Sequence, residues 1–177
     1  MHILKFFPLV LALALLAGCQ KPAAQTPPIS SDLDSNGVPT HGQAKLPTIK
    51  LYIGPMVLDT EMAVTDYEIH CGMMYRTNIQ DTDSMIFVFP SPQRVNFWMK
   101  NCPESISCAY MTPDGTIAEI HHLEHDDTNG VVAAVDNIQF VLETQDGWFA
   151  HHNIPVGTVI RTEKGTLADT FLRPRQP

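Results

Sequence analysis

The string Phe97-Trp98-Met99-Lys100-Asn101 sets an indole and an ammonium two residues apart. In an extended segment such residues share a face. Trp98 and Lys100 would then stack one part of a ligand and pair with an anionic part, while Phe97, Met99 and Asn101 turn the other way. Arg76, whose planar fork holds a carboxylate or phosphate through paired N–H groups, is a natural companion. Arg76, Trp98, Lys100 and Asn101 are therefore the candidate ligand-binding residues. The same residue types also have a structural use, in which Trp98 fills core, Lys100 lays its stem over apolar surface and Arg76 locks a loop.

A second chemistry is suggested by Ile120-His121-His122-Leu123-Glu124-His125. In a strand Glu119 and His121 lie on one face, and His125 can return from the loop that follows. Glu119, His121 and His125 would make a His, His, carboxylate set of the kind that holds zinc. Neighbouring histidines in a strand point opposite ways, so only one of His121 and His122 can join. His151 and His152 suit the negative end of a short helix. Beyond Cys19 the cysteines are Cys71, Cys102 and Cys108, and an oxidising compartment permits one disulfide among them, with the pairing open.

These positions depend on strands. Ile49, Leu51 and Ile53 alternate with polar neighbours, Gly54-Pro55 makes a turn, and residues 56–64 return as the second arm of a hairpin. Thr65 with Glu68 fits a capping box, and Gly72 can stop the short helix between them. Further strands are expected at 85–89, 95–101, 106–112, 116–123, 140–144 and 156–162, with Pro113-Asp114-Gly115 as a tight turn. Residues 146–152 read as one or two helical turns ended by Asn153 and Pro155. Many short strands with two short helices imply a mainly β (β-rich α+β) fold, a compact antiparallel barrel or a jelly-roll-like sandwich.

The chain ends carry a different message. An apolar run from Phe6 to Ala17 follows Lys5 and closes in Leu16-Ala17-Gly18-Cys19, too short for a transmembrane span of about 20 residues. It resembles the lipobox class of signal peptide, which implies cleavage after residue 18 and diacylglycerol on the Cys19 thiol. The resemblance also implies attachment to the cell envelope, and Gln20 after the cysteine implies the periplasmic face of the outer membrane. Residues 19–46 have the Pro, Ser, Thr and Gln content of a disordered, lipid-anchored linker, 47–165 make one domain, and 166–177 are a C-terminal tail.

Eleven Lys plus Arg face 19 Asp plus Glu, and loss of Lys5 with the leader takes the net charge of −8 to about −9. That balance excludes nucleic acid as a partner and leaves membrane attachment to the lipid. Three ordered blocks carry a further resemblance: Cys71-Gly72-Met73-Met74-Tyr75-Arg76, Ser84-Met85-Ile86-Phe87-Val88-Phe89 and Phe97-Trp98-Met99-Lys100-Asn101, with Thr112-Pro113-Asp114-Gly115 and Phe140-Val141-Leu142-Glu143 behind them. Together they resemble domain-of-unknown-function family 192 over roughly residues 50–162. The resemblance implies a small β-rich domain, often exported, with no assigned reaction. Met73 and Ser84 replace the family's usual Leu and Gly, and Ser105 and Ser107 replace a usual Pro and Asp.

No Gly-x-Ser-x-Gly elbow, Gly-x-Gly-x-x-Gly loop, P-loop or His-Glu-x-x-His is present, and no cofactor is expected. The leading expectation is a non-catalytic, lipid-anchored module whose partners are the membrane and a small anionic ligand or an envelope protein. The rivals are a metal-assisted hydrolase using the His121/His125 cluster and a structural component of an envelope complex.

Overall fold

The computed structural model describes residues 32–173. The expected leader, Cys19, the first part of the linker and the last tail residues lie outside the described residues.

Strand β1 (Thr48–Ile53) buries Ile49, Leu51 and Ile53 in strict alternation and pairs antiparallel with β2 (Met56–Ala63) through the Gly54 turn. Helix α1 (Asp66–Cys71) follows, begun by the expected capping box. Thr65 Oγ1 accepts from the Glu68 N–H at 3.3 Å, and the Glu68 carboxylate accepts from the Thr65 N–H at 2.9 Å. Gly72 ends the helix at φ 48°, where an added Cβ would sit 3.3 Å from the Phe87 ring. Through α1 the chain crosses over, so β3 (Ser84–Gln93) lies parallel to β2; the other strand pairings are antiparallel.

The remaining elements are β4 (Asn96–Phe97), β5 (Ile106–Met111), β6 (Ile117–Leu123), β7 (Val131–Val132), β8 (Ile138–Gln145), α2 (Trp148–His151), β9 (Ile160–Thr162), β10 (Gly165–Thr166) and α3 (Leu167–Phe171). Eight strands form one sheet in the order β10-β9-β1-β2-β3-β8-β5-β6, curled into a half-barrel, while β4 and β7 make a separate ribbon. The expected strand over 95–101 shrinks to Asn96–Phe97, because Asn101 adopts φ 59° and the Cys102 N–H turns back to the Met99 carbonyl.

Residues 84–88 of β3, all of β5 and residues 138–144 of β8 are buried on both faces, mostly by apolar side chains. Ile86, Ala109, Met111, Phe140 and Leu142 pack under α2 and α3. Met85, Phe87, Cys108, Tyr110 and Val141 face the other way, against Met73, Met74, Val95, Met99 and Cys102. The second layer contains the candidate site.

Two boundaries differ from expectation. Residues 32–46, read as part of a disordered linker, run as a strap over the domain from Asp32 onward. Val38 is 4% exposed inside the core, the Tyr75 hydroxyl donates to the Pro39 carbonyl at 3.0 Å, and the Gln43 amide donates to the Glu68 and Gly72 carbonyls. One buried valine and a few main-chain bonds hold the strap, and neither leaves an apolar period. Val38→Ala is expected to cost about 1.5 kcal/mol, at about 0.8 per methylene, read as a lower urea midpoint. At the other end, residues 166–172, read as the start of a tail, pack on the domain. Thr166 and Asp169 form a second capping box, and Leu167 is fully buried.

Candidate functional site

Arg76 lines a different pocket from Trp98, beside Gln43, Lys45 and Asp83, and is committed to an internal ion pair. Its guanidinium donates to both Glu61 oxygens, at 2.6 and 2.9 Å, and the same carboxylate accepts from the Leu46 N–H at 2.7 Å. Burial alone would push the Glu61 carboxyl up, but the Arg76 and Leu46 bonds outweigh it and hold it below the ordinary carboxylate range. The ion pair ties β2 to the segment after α1. The expected anion grip is therefore split, because Lys100 lies elsewhere, with its Nζ 5.8 Å from the centroid of the Trp98 ring. Asn101 is also committed to structure, since its amide donates to the Pro39 carbonyl of the strap at 3.4 Å.

Trp98 keeps its place at a site. With Phe87, Phe89, Phe97, Met73 and Val95 it lines a cavity of about 280 Å³ between the end of α1 and residues 93–98. The aromatic wall is well defined. Phe97 meets Phe87 edge-to-face at 5.0 Å and Phe89 at 6.4 Å, and His70 stands edge-on to Trp98 at 6.4 Å. His70, Gln93, Arg94 and Asn96 add polar groups to the lining.

The same cavity is lined by Glu143 of β8. Strand register sets Glu143 between Met85 and Cys108, on the face that carries Val141 toward the cavity layer. The residue is 5% exposed, and its Oε2 is buried with no hydrogen-bond partner. Burial drives the carboxyl up to about 8, against the opposing charge of Arg76. In the sequence Glu143 stands out only as part of a family-like block. The available signal was an acidic residue inside the apolar run Phe140-Val141-Leu142-Glu143, which an exposed strand would have put in water.

The other candidates resolve differently. Glu119 and His121 do share a face and bond at 2.9 Å, but Glu119 also accepts from the Ala134 N–H. His125 is 56% exposed and turns to Glu124 and Asp126. The loop thus carries His125 away, and among the described residues no group of three His, Cys, Asp or Glu could hold a metal ion. Cys71, Cys102 and Cys108 are free buried thiols rather than a disulfide pair plus one. Cys71 donates to the His41 carbonyl and Cys102 to that of Lys100. Burial pushes all three thiols up, Cys102 to about 12.

His122, exposed on β6, bonds Asp146 at 2.8 Å and Glu124 at 3.2 Å, which raises it above the usual 6.5. A raised histidine contributes stability below its unfolded value and loses it as pH climbs through its folded one. An NMR titration should place His122 above 6.5 in the native chain, with the midpoint falling in Asp146→Asn.

Comparison with known proteins follows the same outline. The model of family DUF192, described as "Uncharacterized ACR", matches residues 50–162. No curated protein matches the chain significantly. A protein of unknown function from Novosphingobium aromaticivorans DSM 12444 is similar in structure, with TM-score 0.62 and 26% identity over 66% of this chain and 86% of its own. A second similar structure, from Sinorhizobium meliloti 1021 and named as a suspected transcription regulator, has TM-score 0.62 and 23% identity. It covers 68% of this chain and 98% of its own, and it bears on the fold alone.

Proposed function

Because this chain belongs to DUF192, a family with no assigned reaction, we propose a function from its site: a non-catalytic module that binds a small molecule in the cavity beside Trp98. The module is lipid-anchored through Cys19 at the cell envelope. One observation carries the binding reading: an aromatic-lined cavity containing a buried carboxyl oxygen that no protein group satisfies. Ligand sites have this composition, mostly apolar with a few placed polar atoms. Thiolate nucleophilic catalysis is disfavoured because burial holds the nearest thiols protonated. A small anion gripped by two cations loses its support, since Arg76 is spent on Glu61. The lipid anchor rests on the Leu16-Ala17-Gly18-Cys19 string.

Native mass spectrometry of the protein extracted from its own envelope tests both parts. The expected spectrum shows a chain beginning at diacylated Cys19 with a small molecule retained, and retention falls in Trp98→Ala. An unmodified thiol at Cys19 overturns the anchor. A chain that carries nothing, with Trp98→Ala indistinguishable from it, overturns the binding site.

A further inference from the structure

We infer that the cavity selects a small organic ammonium ion with an apolar body, its N–H groups bonding Glu143 and its body lying among Phe87, Phe97 and Trp98. The inference rests on the binding reading above and names the ligand class for that site. Two features point to a cation and a third sets its size. The first is the orphan Oε2 of Glu143, an acceptor without a donor at a residue that is 5% exposed. Leaving such an atom unpaired costs the protein its desolvation, so a ligand that supplies the donor recovers it.

The second feature is the wall. The Phe87, Phe97 and Trp98 rings line the cavity, and aromatic faces attract cations through their quadrupoles. Lys100 already holds its ammonium 5.8 Å from the Trp98 centroid, so this indole accepts a cation within the chain itself. The third is size. A cavity of about 280 Å³ is near the lower end of ligand pockets, and it suits a single ring carrying a short aminoalkyl arm.

Binding has a definite proton balance. The carboxyl held up near 8 is mostly neutral at pH 7, so an entering R–NH3+ forms a carboxylate–ammonium pair and one proton leaves Glu143 for solvent. The titratable and charged groups facing it are Arg76 from the segment after α1, Cys102 from the loop before β5, and Cys108 and Tyr110 from β5. Cys71, His70 and Arg94 stand around the cavity. Burial raises the thiols and the Tyr110 phenol, and Arg76 stays charged, so these groups do not titrate between pH 6 and 8. His70→Gln removes the imidazole that also lines the cavity and serves as a control for assigning the released proton to Glu143.

The test uses three ligands of one shape on the folded protein: 2-phenylethylamine, its neutral analogue 2-phenylethanol, and the anion 3-phenylpropionate. Calorimetry in two buffers of different ionisation enthalpy should show the amine binding at least about tenfold tighter than the alcohol, the worth of one charge-assisted bond. Up to about one proton should be released per amine at pH 7, and the release should survive His70→Gln. Glu143→Gln should lose the amine preference, keep the weaker alcohol binding, and melt no lower than the native chain at pH 8. The inference is overturned if alcohol or propionate binds as well as the amine, a result that still leaves a ligand cavity in place. If none of the three binds, both the ammonium assignment and the cavity reading fall.

Discussion

Arg76→Ala should lower the unfolding free energy at pH 7 by about 3–5 kcal/mol, the cost of breaking a buried ion pair from one side. The geometry supports the upper part of that range. The pair is bidentate, the Arg76 and Glu61 side chains are 18% and 8% exposed, and Glu61 also receives the Leu46 N–H. Alanine leaves a carboxylate in a nearly dry site. For a domain of this size the melting temperature should fall by roughly 10 °C.

The pH dependence identifies the cause. In the native chain Glu61 is held below its usual value, so its contribution is present above the unfolded carboxylate range and is lost as pH falls through the folded value. In Arg76→Ala, burial is no longer outweighed and Glu61 titrates high, so acid relieves the defect by neutralising the carboxyl. Urea unfolding at pH 7 and pH 4.5 should therefore show the larger loss at pH 7. The double variant Arg76→Met, Glu61→Leu should recover most of it, because a packed apolar pair of similar volume carries no charge to desolvate. A loss under about 1 kcal/mol at both pH values would mean that the pair behaves as a screened surface bridge.

The same pair shows what the sequence leaves out. The strand pattern, the Thr65–Glu68 capping box and the Pro113-Asp114-Gly115 turn are local, encoded within a few residues, and the structure contains them. Arg76 was legible as a cation of interest, but its partner Glu61 lies on another strand and nothing local links the two. Strand alternation sets Trp98 and Lys100 on one face, whereas the positive φ of Asn101 turns the chain there. They meet through a cation–π contact rather than across a shared strand face. Val38 failed for the opposite reason. A lone apolar residue among prolines and serines has no period, and only the tertiary surface beneath it makes it core. Glu143 was visible as an interruption of an apolar run, but burial on both faces of β8 becomes evident only once β3 and β5 flank it.

Glu143→Gln should remove a pH slope that the native chain carries between roughly pH 4.5 and 8. The carboxyl titrates near 4.5 when unfolded and near 8 when folded, so below 4.5 it is protonated in both states and contributes no slope. Between the two values the unfolded chain ionises while the native one keeps its proton, and stability falls by about 1.4 kcal/mol per pH unit. The full window amounts to roughly 4–5 kcal/mol as an upper bound, lost as pH rises and complete above 8. Glutamine does not ionise, so urea midpoints of the variant should stay level from pH 5 to 8 apart from the small exposed term of His122. The native chain and the variant should converge near pH 5 and separate at pH 8, with the variant more stable. Equal slopes would show that Glu143 is solvated or paired, and would remove the basis of the ligand site. A variant more stable than the native chain at pH 8 would mark Glu143 as a residue that costs the fold stability, the trade expected where a binding site needs a buried polar atom. Here that carboxyl lines an aromatic cavity and its Oε2 lacks a donor, so the variant that gains stability at pH 8 should also lose the preference for the amine.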